Sequence, residues 1–260
     1  MIFSSLLCFS QENTFSKEEI KVKLDSIKKE GNLLYSLEYA SWTASDIIIH
    51  NKKLKNLYGS YLSYQADDLV KTIFLNKKGD MVIAEFSFTK NLKQPISEST
   101  SERNLTENEI ALKTVQDNVI AQLSDPKYEV GVPNGYSLNF ITIPFGDKFK
   151  TYIVTGATET GVIPFGNDYL FISNKQGQIL ESKKFHSRLI PTFTSIRDSG
   201  DATSSMHSHM KTSPFVSATD ICTFKLYAPF TKLEKFSVYS PALKVYFEYN
   251  YKTDILDVKE

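Results

Sequence analysis

The sequence has few cysteines and no excess of charge of either sign, and both facts exclude whole classes of protein. Its 260 residues include two cysteines, so neither a disulfide framework nor a cysteine-rich zinc site can form. Lysine and arginine together number 30, as do aspartate and glutamate, so the formal net charge is zero. A protein that binds nucleic acid or membranes through a general basic surface needs clustered positive charge. We therefore expect neither kind of partner.

Long apolar runs are also lacking, because no internal stretch is long and apolar enough to cross a bilayer. The N-terminus differs: residues 1–10 are apolar or small and give way at once to Gln11 and Glu12. This composition resembles the end of a bacterial secretory signal that lacks its positive region. We therefore predict that residues 1–10 are the remnant of a leader, that the chain is exported, and that the mature protein begins near Gln11. The alternative is an apolar N-terminal segment on a cytoplasmic protein.

Aromatic residues are abundant at 13% of the chain, which favours β-rich structure because flat rings pack well on pleated surfaces. Periodic patterns predict helices at residues 16–30, 33–49, 107–123 and 220–227. They predict paired strands at residues 70–75 with 81–89, 136–143 with 149–155 and 169–173 with 178–185, and closing strands at 236–239 and 244–251. A polar stretch at residues 97–106 is typical of a linker, which divides the chain into an N-terminal helical and hairpin region, 11–105, and a second domain, 106–260.

Two helix ends carry clear signals. Gly31 is expected to end the first helix. Thr106 is expected to cap the helix at residues 107–123, with Glu109 completing a capping box. The side of that helix expected to be buried consists of Ile110, Val115, Val119, Ile120 and Leu123.

The sharpest motif is His207-Ser208-His209 followed, after seven residues, by Ser217 and then Asp220. Two histidines two positions apart on an extended segment point to the same side, so both imidazoles can face one ion. Asp220, at the start of the following helix, can supply a third ligand. Three nitrogen or oxygen ligands with an open fourth position describe a catalytic zinc site. The motif therefore predicts that His207, His209 and Asp220 bind a metal.

Plainer interpretations apply to several of these residues. Ser217 can be the N-cap of the helix with Asp220 at its third position, and this interpretation is compatible with metal binding. His50 and His186 stand alone in the sequence and are interpreted as structural or solvent-facing. Cys222 lies within the helix and is expected to be a small buried apolar residue.

The spacing of the motif resembles that of the JAMM (MPN+) zinc metalloproteases, which carry a glutamate and then His-Ser/Thr-His-x7-Ser-x2-Asp. The similarity extends to the apolar approach to Asp220 from Phe215 and to the strand and Ser-Pro turn that end at Pro241. Upstream, Glu159-Thr-Gly resembles the segment that carries the catalytic glutamate of the family. The resemblance covers about residues 155–250, and it departs from the family pattern at Met210, where many members have proline.

The resemblance implies an α/β (α+β) fold, a mixed sheet flanked by helices that is related to the cytidine deaminase fold. It implies one Zn²⁺ and hydrolysis of a peptide or isopeptide bond by water that the metal activates. Glu159 would be the general base, with Glu181 as an alternative, and Ser217 would donate a hydrogen bond to the oxyanion. For an exported protein, the expected peptide or protein substrate is a cell-wall peptide or another exported protein. The alternative function is a catalytically inactive JAMM-like module that binds a partner protein.

Overall fold

The computed structural model describes residues 15–196 and 200–259. The predicted leader lies outside the described residues, so export stays a prediction. The described part is a mixed α and β structure in which three α-helices accompany several antiparallel sheets. Within it, none of the helices combines the length and the apolar character that crossing a bilayer requires.

Each of the three helices begins with a capping box. Helices α1, α2 and α3 span Lys17–His50, Glu107–Gln122 and Ala218–Tyr227. In each, a serine or threonine side chain accepts a hydrogen bond from the backbone three residues later, and the acidic side chain there accepts one in return. These reciprocal bonds satisfy backbone N–H groups that the first turn leaves free. The predicted cap of α2 at Thr106 and Glu109 is confirmed.

Two antiparallel sheets lie in the first two-thirds of the chain, together with α1 and α2. The first contains β1 (Tyr58–Ala66), β2 (Leu69–Asn76), β3 (Met81–Phe88), β4 (Ser97–Ser99) and β5 (Arg103–Asn104), in the order β1-β2-β3-β4 with β5 also beside β3. The second contains β6 (Tyr136–Phe145), β7 (Lys148–Ala157), β9 (Tyr169–Ser173) and β10 (Ile179–Lys184), in the order β10-β9-β7-β6. The three strand pairs predicted from the sequence in this region are confirmed.

The remaining strands of the described residues form three further sheets. Strand β8 (Val162–Gly166) pairs with β11 (Leu189–Phe193), and β12 (Ser195–Ile196) pairs with β13 (Gly200–Asp201). The last sheet contains β14 (Ser205–Ser208), β15 (Lys235–Ser240), β16 (Val245–Asn250) and β17 (Ile255–Lys259). Strands β14 and β15 are parallel and α3 connects them, whereas the other pairs of this sheet are antiparallel.

Gly31 does not end a helix, and the prediction of two helices before residue 50 is wrong. The glycine lies buried inside α1, where it packs against α3. A Cβ atom there would lie 2.7 Å from the Cβ of Ile221 and 2.9 Å from the carbonyl oxygen of Ala218. Glycine is therefore needed for the close approach of the two helices, a use that the sequence does not distinguish from a helix stop.

The segment predicted to be a linker is part of the first sheet instead. It contains β4 and β5, both of which pair with β3. Its polar residues serve an ion network, because the Arg103 guanidinium lies 2.8 Å from Glu109 and also binds Glu85. The network also changes the buried face of α2: Glu109 is buried there with Val115 and Val119, while Ile110 and Ile120, expected to be buried, are exposed.

The core is continuous across the middle of the chain. One cluster of buried side chains includes Leu37 of α1, Phe86 of β3, Val154 of β7 and Cys222 of α3. Cys222 is fully buried, as predicted. A second cluster, built around Phe165, Phe224 and Phe236, packs β8 and α3 against the last sheet.

Glu38 is a buried carboxyl group in the middle of α1. It accepts hydrogen bonds from Trp42 Nε1 at 2.9 Å and from Asn139 Nδ2 at 2.7 Å. Burial raises the pKa of Glu38 to about 7, and these two hydrogen bonds offset only part of that effect. In the unfolded chain a glutamate titrates near its ordinary pKa of about 4.3.

The pKa of Glu38 predicts a loss of stability as the pH rises. Between the unfolded and folded pKa values the folded state binds more protons, so the free energy of unfolding falls over this range by about 4 kcal/mol and then levels off. Glu38→Gln keeps an acceptor for both hydrogen bonds and removes the ionisation. Denaturant unfolding between pH 4 and pH 8 should therefore show the variant gaining stability relative to wild type as the pH rises. The exposed Glu18→Gln on the same helix is the control, and parallel curves for wild type and Glu38→Gln would contradict the prediction.

Candidate metal centre

Strand β14 and helix α3 bring His207, His209 and Asp220 together. Along β14, Ser205 and His207 are buried while Met206 and Ser208 are exposed. His209 is buried in turn, and its backbone N–H donates to the Tyr239 carbonyl at 3.0 Å. The strand geometry thus continues through the motif, so both imidazoles lie on the inner side.

A third histidine, His186, lies in the same group, and its interpretation as an isolated residue is corrected here. It follows β10 and is buried. Its Nε2 lies 3.3 Å from Nε2 of His207 and 3.4 Å from Oδ1 of Asp220. One ligand atom from each of the four residues lies within 4.8 Å of the others. No local pattern signals this role, because the pairing of β11 with β8 is what carries His186 to the site.

The turn after β8 places a carboxylate behind His186. Gly166 has a φ of +76°, and a Cβ there would lie 2.3 Å from the Arg188 carbonyl oxygen, so only glycine fits. The backbone N–H of Phe185 donates to the Asp168 carbonyl at 3.2 Å. As a result, Oδ1 of Asp168 lies 2.7 Å from Nδ1 of His186. Thr219 donates to the other oxygen of Asp168. A carboxylate that holds the outer nitrogen of a histidine is the usual support of a metal ligand.

The two oxygens of the Asp220 carboxylate face different partners. Oδ2 lies 2.9 Å from the Ser217 backbone N, 2.7 Å from Ser217 Oγ and 3.0 Å from His209 Nε2. Oδ1 lies 3.4 Å from His207 Nε2 and accepts no hydrogen bond from any residue that the structure describes. Asp220 therefore caps α3 with one oxygen and turns the other towards the histidines, so the two roles considered for it coexist.

The site is buried and strongly polar. Burial alone would raise the pKa of Asp220, but the three neighbouring histidines hold this pKa well below its usual range. Burial lowers the pKa of His186, but Asp168 and Asp220 outweigh it and raise this pKa to about 9. For His207 burial prevails, and its pKa is lowered. Buried polar atoms nearly always have partners, so the unbonded Oδ1 of Asp220 fits an ion better than an empty space.

The other predicted site residues lie in different surroundings. The Ser217 hydroxyl donates to Asp220 Oδ2 and also forms a hydrogen bond with Thr219 Oγ1, and both of these oxygens lie 2.7 Å from Ser217 Oγ. Glu181 is exposed on β10, with its nearest cation, Lys148, 3.9 Å away. His50 is exposed at the end of α1.

Glu159 is not brought to the histidines. It is exposed in the turn before β8, whereas the cluster lies against the other end of that strand, where the rings of Phe165 and His207 are 5.0 Å apart. Five residues of strand separate the two places, roughly 16 Å along β8.

Neither a scan of protein-family models nor a search of curated proteins finds a match to this chain. The geometry alone therefore describes the centre: His186, His207, His209 and Asp220 form a buried group that could bind a metal ion. The resemblance to JAMM proteases stays a prediction.

The contact between Asp168 and His186 predicts an effect on metal affinity. Asp168→Asn removes the negative charge that holds Nδ1 of His186, and we expect the affinity for zinc to fall about 10–100-fold. Competition with a chromophoric zinc chelator measures this change. Asp147→Asn, in the exposed turn between β6 and β7, is the matched control. Equal affinity in Asp168→Asn and wild type would show that Asp168 supports the fold and not the site.

Proposed function

We propose that this chain is a zinc-binding protein in which His186, His207, His209 and Asp220 hold one ion. The observation that carries the proposal is a nearly equilateral triangle of donor atoms. The two nitrogens, His186 Nε2 and His207 Nε2, are 3.3 Å apart, and each lies 3.4 Å from Oδ1 of Asp220. Ligands bound tetrahedrally at about 2.0–2.1 Å are about 3.3–3.4 Å from one another. The triangle thus has the size of one face of a zinc tetrahedron.

His209 supplies the fourth donor in this proposal. Its Nε2 lies next to the Asp220 carboxylate, and its ligand atom belongs to the group that spans 4.8 Å. Four protein donors fill the coordination of tetrahedral zinc, which is typical of structural sites, whereas catalytic sites keep one position open. The burial of all four residues supports the closed form. Three imidazoles and one carboxylate also suit zinc better than Mg²⁺ or Ca²⁺, which prefer oxygen.

A closed zinc site would join segments that are far apart in the sequence. His186 comes from the segment between β10 and β11, His207 and His209 from β14 and its end, and Asp220 from α3. Because metal-binding free energy adds to folding free energy, the ion would stabilise the region around α3. Together with the resemblance of the motif, this supports a JAMM-like module without catalytic activity, which would act by binding a partner.

Metal content tests this proposal. We expect one zinc per chain in the purified protein and a loss of zinc in His186→Ala, His207→Ala and Asp220→Ala, measured by elemental analysis. His50→Ala, an exposed histidine, should keep it. In the cobalt-substituted protein, azide should leave the visible absorption of wild type unchanged, because four protein donors leave no position for it. A wild-type spectrum that responds to azide would contradict the closed site.

A second candidate function, zinc-dependent hydrolysis of peptide or isopeptide bonds, is favoured by one observation. The sequence of β14, loop, α3 and β15 carries His207, Ser217 and Asp220 in the order and spacing that the resemblance requires. In hydrolases of this kind the bound zinc makes water acidic enough to attack a carbonyl at neutral pH. In this chain Ser217 would have to release Asp220 or Thr219 to reach an oxyanion, and Glu159 would have to reach the cluster from the far end of β8. These two requirements make hydrolysis the weaker candidate.

Peptide and isopeptide reporters decide between the two candidates. We expect zinc-loaded wild type to show no turnover above that of His207→Ala, because the four protein donors of the proposed site leave no open position for water. The hydrolase candidate expects the opposite: turnover by wild type, and a loss of kcat of at least about 100-fold in Glu159→Gln with zinc retained. Glu98→Gln on β4 serves as the matched control, since it too removes an exposed carboxylate.

A further inference from the structure

A cleft with aromatic walls lies at the other end of β8 from the metal centre. Its volume is about 540 Å³, and its lining includes Trp42 of α1, Tyr227 at the end of α3, Phe230 and the turn at residues 158–161. We call it the aromatic cleft. Such a volume falls within the range that small-molecule sites occupy. Neither of the two candidate functions assigns a ligand to it, although the hydrolase candidate would draw Glu159 away from its lining.

The rings of the aromatic cleft are held in place by polar contacts at their edges. The Trp42 indole Nε1 donates to the buried Glu38 carboxyl at 2.9 Å. The Tyr227 hydroxyl accepts a hydrogen bond from the Ala157 backbone N–H at 2.8 Å, and the rings of Trp42 and Tyr227 meet edge to face at 5.2 Å. Phe230, in contrast, is 74% exposed, so a large apolar ring at the wall of the cleft remains open to solvent.

The charge at the cleft is negative. Among the lining residues that the structure describes, Glu159 is the single charged one, and no lysine or arginine there balances it. Behind the indole, the Glu38 carboxyl accepts the hydrogen bond that Trp42 donates. This hydrogen bond increases the electron density of the indole ring. An aromatic face with extra electron density and a carboxylate at the rim together attract a cation that is itself weakly hydrated.

From these observations we propose that the aromatic cleft binds a small organic ammonium ion, with the cation against the rings of Trp42, Tyr227 and Phe230 and with Glu159 as its counter-ion. Ring faces recognise quaternary and methylated ammonium groups because such cations lose little hydration on binding. A neutral ligand of the same shape would gain the apolar contacts and lose the electrostatic attraction. Comparing a cationic ligand with a neutral ligand of the same shape therefore measures what the positive charge contributes to binding.

Trp42 is the only tryptophan of the chain, so its fluorescence reports directly on this cleft. The experiment titrates the full, zinc-loaded chain with choline and with its neutral isostere 3,3-dimethylbutan-1-ol, with NaCl at matched ionic strength as the blank. We expect a saturable change with choline and about tenfold weaker binding of the alcohol. Equal binding of the two compounds, or a response to choline no larger than that to NaCl, would overturn the proposal.

Two variants locate the binding within the cleft. Phe230→Ala should weaken choline binding about three- to tenfold, and Glu159→Gln about two- to fivefold with a smaller dependence on salt. The matched controls are Phe193→Ala and Glu181→Gln, which remove an exposed ring and an exposed carboxylate elsewhere. Because all four side chains are exposed, the variants are expected to fold, and circular dichroism checks this. Unchanged binding in both cleft variants would refute the site.

Phosphatidylcholine vesicles identify the source of the ammonium group. If the ligand is a lipid head group, vesicles should change the fluorescence of wild type and not of Phe230→Ala. If the ligand is a free amine, choline should change the fluorescence of wild type and the vesicles should not. Both outcomes require the same contacts with Phe230 and Glu159, and neither depends on the role of the zinc.

Discussion

The carboxylate of Asp220 is the group on which the C-terminal part of the molecule depends. Its Oδ2 fixes the first turn of α3 through the Ser217 backbone N–H and hydroxyl, and its Oδ1 faces His186 and His207. A fully buried charge is costly unless it is paired and hydrogen-bonded or coordinates a metal. Asp220 therefore connects the start of α3 to the cluster of histidines, and it helps to fix the positions of both.

Features that depend on neighbours in the sequence could be predicted well. The capping box of α2 and the pairing of β2 with β3 need only a few consecutive residues. The common orientation of His207 and His209 is of the same kind, since it follows from the alternation of side chains along a strand. Ser217 and Asp220 could be placed at the start of a helix for the same reason. A short loop connects them to the histidines, so their closeness to the histidines could also be predicted.

Features that depend on contacts between distant segments could not be predicted. Gly31 has the local signature of a helix end, and only the approach of α3 shows that its missing side chain makes room for Ile221. His186 has no partner nearby in the sequence, because Asp168 meets it through the turn at Gly166 and Asp220 meets it through the packing of α3. The two contacts of His186 are made beside the pairing of β8 with β11, which no local pattern encodes.

Strand β8 explains why the resemblance and the geometry disagree about Glu159. The resemblance of Glu159-Thr-Gly to the segment that carries the catalytic glutamate of the JAMM family predicts this carboxylate beside the histidines. In the structure the chain enters β8 at the aromatic cleft and leaves it at the histidine cluster, so the two ends of one strand border two different places. The carboxylate that β8 does bring to the histidines is Asp168, which follows the strand and pairs with Nδ1 of His186. Asp168 is buried, and a buried carboxylate in that position can orient a histidine ligand, which is what the proposed closed zinc site needs.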